Sequence, residues 1–360
     1  MLTYLLRRLL LIVPTLLGVS IVTFAIIASS PGGLGGALLG PNAQLRPEER
    51  KAIMAYYNER YGLNRPPPVQ YLKWLNRVSP IGFKAIDTGF PGSLKFGLKW
   101  CDLGESWQRH RPVADLIGEA LPITLLLECS SLPLIYFFAL TTGIAAARAR
   151  GKFVDVGLGT VLIALYSMPE IWIGVLMIGF LTNREYFHWF PTNGLHDITS
   201  DAMLFLPSFS PVGFQRGWLL DTAWHLVLPV VCLGYSSVAY LSRLTRGSML
   251  ETLNQDFIRT ARAKGNSENV VTYRHALRNS LLPLITVTAS TLPAILAGAV
   301  VIETIFGLPG MGLLFTDSAL QTDRELLMAL TLIFALILMI SFLIADIAYA
   351  IADPRVSYVD

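Results

Sequence analysis

The sequence is poor in charge for its length. Only 15% of its 360 residues are Asp, Glu, Lys or Arg, whereas soluble domains carry about 25%. A fully water-facing surface is therefore excluded, and 53% hydrophobic residues with a net charge of +3 exclude a disordered chain. The apolar residues come in long blocks rather than in alternation, which excludes an outer-membrane barrel. We predict an all-α, polytopic membrane protein.

Residues that hold metals or perform chemistry are also scarce. The three cysteines are widely spaced and the five histidines are scattered, so neither a disulfide framework nor a zinc site is predicted. A phosphate-binding loop is missing, since Gly151-Lys152 lacks both the upstream glycine and the following hydroxyl residue. We therefore expect no catalytic residue, metal, cofactor or nucleotide site, and the low net charge gives no indication of nucleic acid.

Six apolar segments are long enough to cross a bilayer, because about 20 residues suffice for a helix. The first is interpreted as a retained helix rather than a signal peptide, since the run is long and no Ala-x-Ala site follows it. The predicted spans are Leu9–Ile27, Leu121–Ala147, Val156–Leu181, Trp224–Leu241, Leu281–Ile302 and Leu326–Ala348.

The distribution of positive charge predicts the orientation. The loop after the fourth span holds seven basic residues, whereas the loop after the fifth holds only Arg324. Short basic loops stay in the cytoplasm, so both chain termini are expected there. The seven residues are Arg243, Arg246, Arg259, Arg262, Lys264, Arg274 and Arg278.

The spans divide the chain into four regions. A first transmembrane helix (1–29) is followed by a polar extracytoplasmic region (30–119) that contains a predicted helix over 47–61 and a helix-breaking Arg65-Pro66-Pro67-Pro68 run. A core of five spans (120–350) includes an external loop (182–222) and a cytoplasmic loop (243–280). A cytoplasmic tail (351–360) ends the chain.

The sequence pattern of the cytoplasmic loop predicts a helix, a glycine turn and a second helix. Gly265 is the residue type that ends a helix, and Asn266 and Ser267 are suitable N-caps for the next one. Such a unit presents one compact face to a cytosolic partner, or else it is a solvated loop that only enforces topology.

This loop resembles the EAA loop of ATP-binding-cassette (ABC) importer permeases, in their dipeptide, oligopeptide and nickel branch. The resemblance is carried by Arg259-Thr260-Ala261-Arg262-Ala263-Lys264-Gly265 and by the run 273–279. In that family the loop inserts a coupling helix into an ATPase subunit. The resemblance places Arg259, Thr260 and Ala261 at the Glu-Ala-Ala positions, Gly265 at the glycine, and His275, Leu277 and Arg278 at the closing Ile-x-Leu-Pro positions.

Other segments resemble the same branch along nearly the whole chain. They include Tyr61-Gly62-Leu63, 102–106, 301–306, Pro309-Gly310-Met311-Gly312 and Asp353-Pro354-Arg355, while 190–221 with Trp224-His225-Leu226 is similar to the Yej-type sub-branch. The resemblance implies a type I ABC importer permease with six transmembrane helices in the bacterial cytoplasmic membrane, working by alternating access. It also implies a second homologous permease, two ABC ATPases, an extracytoplasmic solute-binding protein and a peptide-like substrate as partners.

Three acidic residues in the spans are candidates for a substrate pathway, because a charge in the membrane is costly. Glu170 follows Pro169 in the middle of the third span and could meet a peptide's amino terminus. Glu128 lies in the second span, beside the polar run Cys129-Ser130-Ser131, and Glu303 ends the fifth. Each has a structural alternative: Glu170 could be paired to a neighbouring helix or held neutral, Glu128 could be satisfied across an interface by its polar neighbours, and Glu303 could fix the external loop.

Three other classes of protein stay open at this point. A proton-coupled secondary transporter would use Glu170, Glu128 or Asp346, but the paired repeats of such proteins are not found. A membrane hydrolase would need a nucleophile with a base, and Ser167 and His225 lie in different predicted spans. The third alternative is a pore or scaffold subunit.

Overall fold

The computed structural model describes residues 2–29, 55, 64–85, 94–200, 203–210, 213–281, 283–285, 287 and 300–352. Four helices in these ranges are long and apolar enough to cross a membrane, and two bent helix pairs bring the number to as many as six if each pair is one span. The prediction of a helical, multi-span membrane protein is confirmed, and the number of six spans stays a prediction.

The described helices follow the apolar blocks but extend beyond them. The longest have room for a full crossing with a further turn or more on either side, at 1.5 Å per residue. In chain order they are α1 (Leu2–Ser29), α2 (Pro67–Val78), α3 (Val113–Arg148), α4 (Phe153–Tyr166), α5 (Glu170–Met177), α6 (Gly217–Leu253), α7 (Asp256–Ala263), α8 (Glu268–Val270), α9 (Val300–Phe306), α10 (Met311–Leu320) and α11 (Arg324–Ala352).

Short irregular pieces complete these elements. π-Helical turns continue α5 (Ile178–Thr182) and α8 (Val271–Ala276). Two antiparallel hairpins lie in the loops: β1 (Ile81–Ala85) pairs with β2 (Leu94–Leu98), and β3 (Ser208–Ser210) pairs with β4 (Gly213–Gln215). All four strands are three to five residues long, so the described chain remains dominated by helix.

The chain divides into two compact units. One holds Leu121–Leu313 with both chain ends, and the other holds Leu6–Ala120 with Leu314–Leu336. In the first unit, buried side chains of α3, α6 and α9 form one core around Leu127, Cys232 and Ile302. This unit contains every candidate site residue named above.

The second unit joins α1, α2 and the start of α11. Phe24, Trp74 and Met328 share a buried cluster. Arg77 of α2 pairs with the buried carboxylate of Glu325. Helix α2 is thus fixed to the membrane-length helices α1 and α11.

The structure differs from the predicted elements in three places. The third span is broken, because α4 and the helix that begins at Glu170 meet at 95°. The prolines of 65–68 begin α2 rather than only breaking a helix, since a proline at the first helical turn lacks an N–H that has no partner there anyway. Helix α10 was not predicted. The predicted helix over 47–61, most of the fifth span, and the family-like segments at 61–63 and 353–355 lie outside the described residues.

Candidate functional site

The basic loop, defined here as residues 243–280, turns sharply at Gly265. The helix α7 ends at Ala263, and the amide of Gly265 donates to the carbonyl of Arg262 at 2.9 Å. Gly265 has φ of +77°, in the left-handed region that a side chain disfavours. The predicted helix–glycine–helix unit is confirmed, and the backbone conformation at Gly265 favours glycine over residues with a branched side chain.

Side chains close this turn from both sides. Arg262 donates from Nε and Nη2 to the two carboxylate oxygens of Glu268, at 2.9 and 3.3 Å. The side-chain amide of Asn266 donates to the carbonyl of Ala261 at 2.9 Å. Asn266 therefore closes the preceding helix, and Ser267 stands at the N-cap position of α8 without a capping hydrogen bond from its side chain. The expected N-cap position of Ser267 is confirmed, whereas the expected capping of α8 by Asn266 is wrong.

An apolar cluster holds the turn against the long helices. Ile258 and Ala261 of α7 are buried together with Met249 of α6 and Ile144 of α3. Leu277 packs against the same cluster. The basic loop is thus a packed structure continuous with two membrane-length helices, and displacing it would displace their ends.

The residues that the resemblance places in the coupling loop divide by burial. Ala261 is buried and Leu277 is half-buried, so both hold the loop in place. Arg259, Thr260, Gly265 and Arg278 are exposed and His275 is half-buried, and the solvent-facing surface of the loop that these residues contribute to is called the exposed face below. This face is basic and open, as a surface that receives a partner would be.

Two polar links join the basic loop and α6 to neighbouring helices. Arg148, at the end of α3, donates to the side chain of Asn269 at 3.0 Å. Arg246 of α6 donates from Nε and Nη2 to both carboxylate oxygens of the buried Asp155 of α4, at 2.5 and 2.7 Å. The amide of Gly151 also donates to Asp155, at 3.0 Å. Sequence patterns do not reveal these two links, because the partners lie 91 or more residues apart.

The break in the third span is stabilised by α6. Helix α4 ends at Tyr166 and α5 begins at Glu170 with Pro169 at its N-cap, so the carbonyl of Met168 lies between the two helices. The hydroxyl of Tyr235 donates to the carbonyl of Met168 at 2.5 Å, and the thiol of Cys232 donates to that of Glu170 at 3.5 Å. Irregular backbone at membrane depth is tolerated where protein groups satisfy it, and Tyr235 does so for Met168.

Glu170 begins the second half of this broken span. Its side chain is half-buried, and its Oε1 accepts a hydrogen bond from the hydroxyl of Ser236 at 3.2 Å. A carboxylate in the first turn of a helix is stabilised by the helix dipole. Glu170 is thus held at a helix break while part of its carboxylate remains accessible, which fits a contact with a passing cation.

Glu303 is instead enclosed by protein. Its carboxylate accepts hydrogen bonds from the hydroxyl of Thr124 at 2.6 Å and from the amides of Gly312 and Leu313 at 2.6 and 3.2 Å. A Cβ on Gly312 would lie 2.5 Å from the Cα of Val300, so only glycine lets the turn approach this closely. The geometry supports the alternative in which Glu303 fixes the turn between α9 and α10.

Glu128 is buried in α3, with 2% of its surface exposed. In the part of the chain that the structure describes, its Oε2 has no hydrogen-bond partner. The hydroxyls of the adjacent run 129–131 donate elsewhere: Ser130 donates to the carbonyl of Leu126, and Ser131 to that of Glu128 itself. Serine hydroxyls inside a helix point back to their own backbone, so neighbours in sequence did not provide the partner.

The three acidic candidates therefore occupy different surroundings. Glu170 is held by α6, whereas Glu303 is held by α3 and by the turn between α9 and α10. No hydrogen bond among the described residues joins Glu170 to Glu303. Within the described ranges, no three His, Cys, Asp or Glu side chains lie where they could hold one metal ion.

Comparison with known families covers almost the whole chain. Residues 139–358 match the family described as binding-protein-dependent transport system inner membrane component. Residues 1–128 match the N-terminal part described for the same membrane components. The first match includes the basic loop and the broken span.

Curated relatives align over nearly their full lengths. The oligopeptide transport system permease protein AppB of Bacillus subtilis (strain 168) is 37% identical over 99% of this chain and 100% of its own. The di/tripeptide transport system permease protein DppB of Pseudomonas aeruginosa (strain UCBPP-PA14) is 34% identical over 99% of each chain. The dipeptide transport system permease protein DppB of Alkalihalophilus pseudofirmus is 32% identical over 99% of this chain and 100% of its own.

Proposed function

Because this chain belongs to the family of binding-protein-dependent transport system inner membrane components, and is a transport subunit rather than an enzyme, we propose that it is a permease of an ATP-driven peptide importer. Its relatives are permeases of oligopeptide, di/tripeptide and dipeptide systems. They support peptides as the substrate class. The comparisons do not favour a proton-coupled secondary transporter.

The observation that carries this proposal is the basic loop. The sequence 1–360 has no phosphate-binding loop, so the energy of ATP has to reach it through other subunits. We assign the exposed face of the loop, with Arg259, Thr260, Gly265 and Arg278, to contact with an ABC ATPase. The buried Ala261 and the half-buried Leu277 connect that face to α3 and α6, and His275 is half-buried.

The remaining regions follow from the orientation that the charges predict. With 243–280 and the tail 351–360 in the cytoplasm, the regions 30–119 and 182–222 lie outside the bacterial cytoplasmic membrane. These outer regions would receive a substrate-loaded solute-binding protein. A second homologous permease and two ATPase subunits would complete the importer around the core 120–350 that follows the first helix 1–29.

We expect this chain to copurify with an ATPase and a second permease after gentle solubilisation. The chain purified alone should not hydrolyse ATP, because it has no nucleotide site. The reconstituted complex with its binding protein should hydrolyse ATP and accumulate a labelled tripeptide in vesicles. Hydrolysis by the isolated chain, or peptide uptake driven by a proton gradient without ATP, would contradict the proposal.

Glu170 is proposed to contact peptides that carry positive charge. The variant Glu170→Gln keeps an acceptor for Ser236 but removes the charge, so uptake of lysine-containing peptides should fall about threefold to tenfold relative to that of uncharged peptides, as for a partly solvated ion pair. The measurement is uptake kinetics with both peptides. The matched control Ser236→Ala loses the hydroxyl donor and keeps the carboxylate, and should preserve the preference. Equal changes for both peptides would assign Glu170 to structure alone.

A further inference from the structure

A cavity of about 520 Å³ lies beside the second half of α6 in the first compact unit. Small-molecule sites usually have volumes of about 300–1,000 Å³. The lining includes two tyrosines and two side chains of opposite charge, and it shares no residue with the acidic candidates described above. The residues that matter here are Tyr166, Tyr240, Arg243, Gly247, Ser248 and Glu251.

The two charges stand on one side of α6. Arg243, Gly247 and Glu251 follow one another at four-residue intervals, so they lie along one strip of the helix. Eight residues of helix separate the Cα atoms of Arg243 and Glu251 by about 12 Å. A Cβ placed on Gly247 would meet no atom within 4 Å. The strip between the charges is therefore open.

Arg243 differs from its neighbour Arg246 in its partners. Arg246 is engaged by both oxygens of Asp155. Among the described residues no carboxylate pairs with Arg243, whose guanidinium lies 5.9 Å from the centre of the Tyr166 ring. The side chain of Glu251 likewise makes no ion pair within the described ranges. The cavity thus holds one cation and one anion whose bonding capacity is available to a ligand.

This arrangement matches a short zwitterion of extended shape. An extended peptide advances about 3.3–3.6 Å per residue, so roughly three residues match the separation of the Cα atoms that carry the two charged side chains. An arginine fork binds a carboxylate with two parallel hydrogen bonds, and a glutamate accepts from an ammonium group. A zwitterionic lipid headgroup fits less well, because only a few bonds separate its two charges.

We propose that this cavity binds the transported peptide at the inner half of its route, with the peptide's terminal carboxylate on Arg243 and its terminal amine on Glu251. The tyrosine rings contact the peptide side chains between these ends. The site selects for short peptides with both termini free. This inference rests on the proposed function, since it assigns a binding position for the substrate of that importer.

The test is binding of trialanine to the complete detergent-solubilised importer without its binding protein. Amidating the carboxyl end or acetylating the amino end of trialanine should each weaken binding about tenfold, by loss of a charge-assisted contact. In Arg243→Gln, amidation should have no further effect, and in Glu251→Gln acetylation should have none. Gly247→Leu, which fills the cavity and keeps both charges, should abolish binding, whereas Arg150→Gln, which removes an exposed arginine elsewhere, should leave it unchanged.

Uptake of labelled trialanine by wild-type vesicles distinguishes a failure of the cavity proposal from a failure of the importer assignment. If wild-type vesicles accumulate the peptide with ATP but blocking either end has the same effect in wild type and in the Arg243 and Glu251 variants, the cavity proposal is overturned and the importer assignment stands. Binding that a zwitterionic lipid displaces and trialanine does not would also overturn it. If the wild-type complex takes up no peptide, the importer assignment itself fails.

Discussion

Replacing Gly265 with valine is expected to abolish peptide uptake while the protein remains in the membrane. Gly265 has φ of +77°, and a β-branched residue in that region costs about 1–3 kcal/mol of backbone strain. The turn would relax by moving α7 relative to α8, and the exposed face that we assign to the ATPase would lose its shape. Uptake of labelled peptide in cells, with an immunoblot of the membrane fraction, measures both effects.

The matched control at this position is Gly265→Asn. Asparagine tolerates the left-handed conformation, and the space beside Gly265 holds no atom within 4 Å of the added Cβ. We expect this variant to retain most of the uptake. Normal uptake by Gly265→Val would contradict the assignment of the loop to contact with the ATPase. An equal loss of uptake in both variants would show that any side chain at position 265 is harmful, whatever the backbone conformation it favours.

Breaking the pair of Asp155 with Arg246 is expected to uncouple ATP hydrolysis from transport. The pair ties the start of α4 to α6, and α6 continues into the basic loop. A movement of the basic loop is therefore transmitted through α6 to α4, the helix that precedes the break at Pro169. In Asp155→Asn or Arg246→Gln, we expect peptide transported per ATP hydrolysed to fall roughly tenfold, because each change removes one charge of the two-pronged pair and weakens the link between α4 and α6.

The double variant and a conservative one provide the controls. Asp155→Asn with Arg246→Gln together should be no worse than either single change, since both alter one interaction. Arg246→Lys keeps the charge and loses the two-pronged geometry, so it should lie between wild type and Arg246→Gln. Copurification of the ATPase should persist in all of them. A proportional fall in ATP hydrolysis and uptake would show that the pair supports only folding.

Local features of this protein were predictable from residue type. The membrane class follows from low charge and long apolar runs, because a bilayer admits only helices and closed barrels. The turn at Gly265 follows from its position between two helical patterns, because a helix end and a positive φ are properties of a few adjacent residues. The resemblance of the basic loop led to the family that the comparisons then showed.

The surroundings of the acidic residues were not predictable in the same way. Glu128, Glu170 and Glu303 look alike in an apolar sequence. Yet Glu303 is enclosed by amides of a later turn, and one oxygen of Glu128 has no partner among the described residues. Spacing along a single helix gives only its own i+3 and i+4 neighbours, so it carries no information on which helix packs alongside.

By itself the sequence determined the class, the boundaries of the apolar blocks to within a few turns, and the place of the basic loop, because these depend on composition and on contacts between near neighbours. Only the tertiary structure decided that the third span breaks at 95°, that Asp155 pairs with Arg246, and that Arg243 and Glu251 line one cavity. These features depend on packing between residues far apart in sequence, which decides what surrounds each of the few charged side chains of this apolar chain.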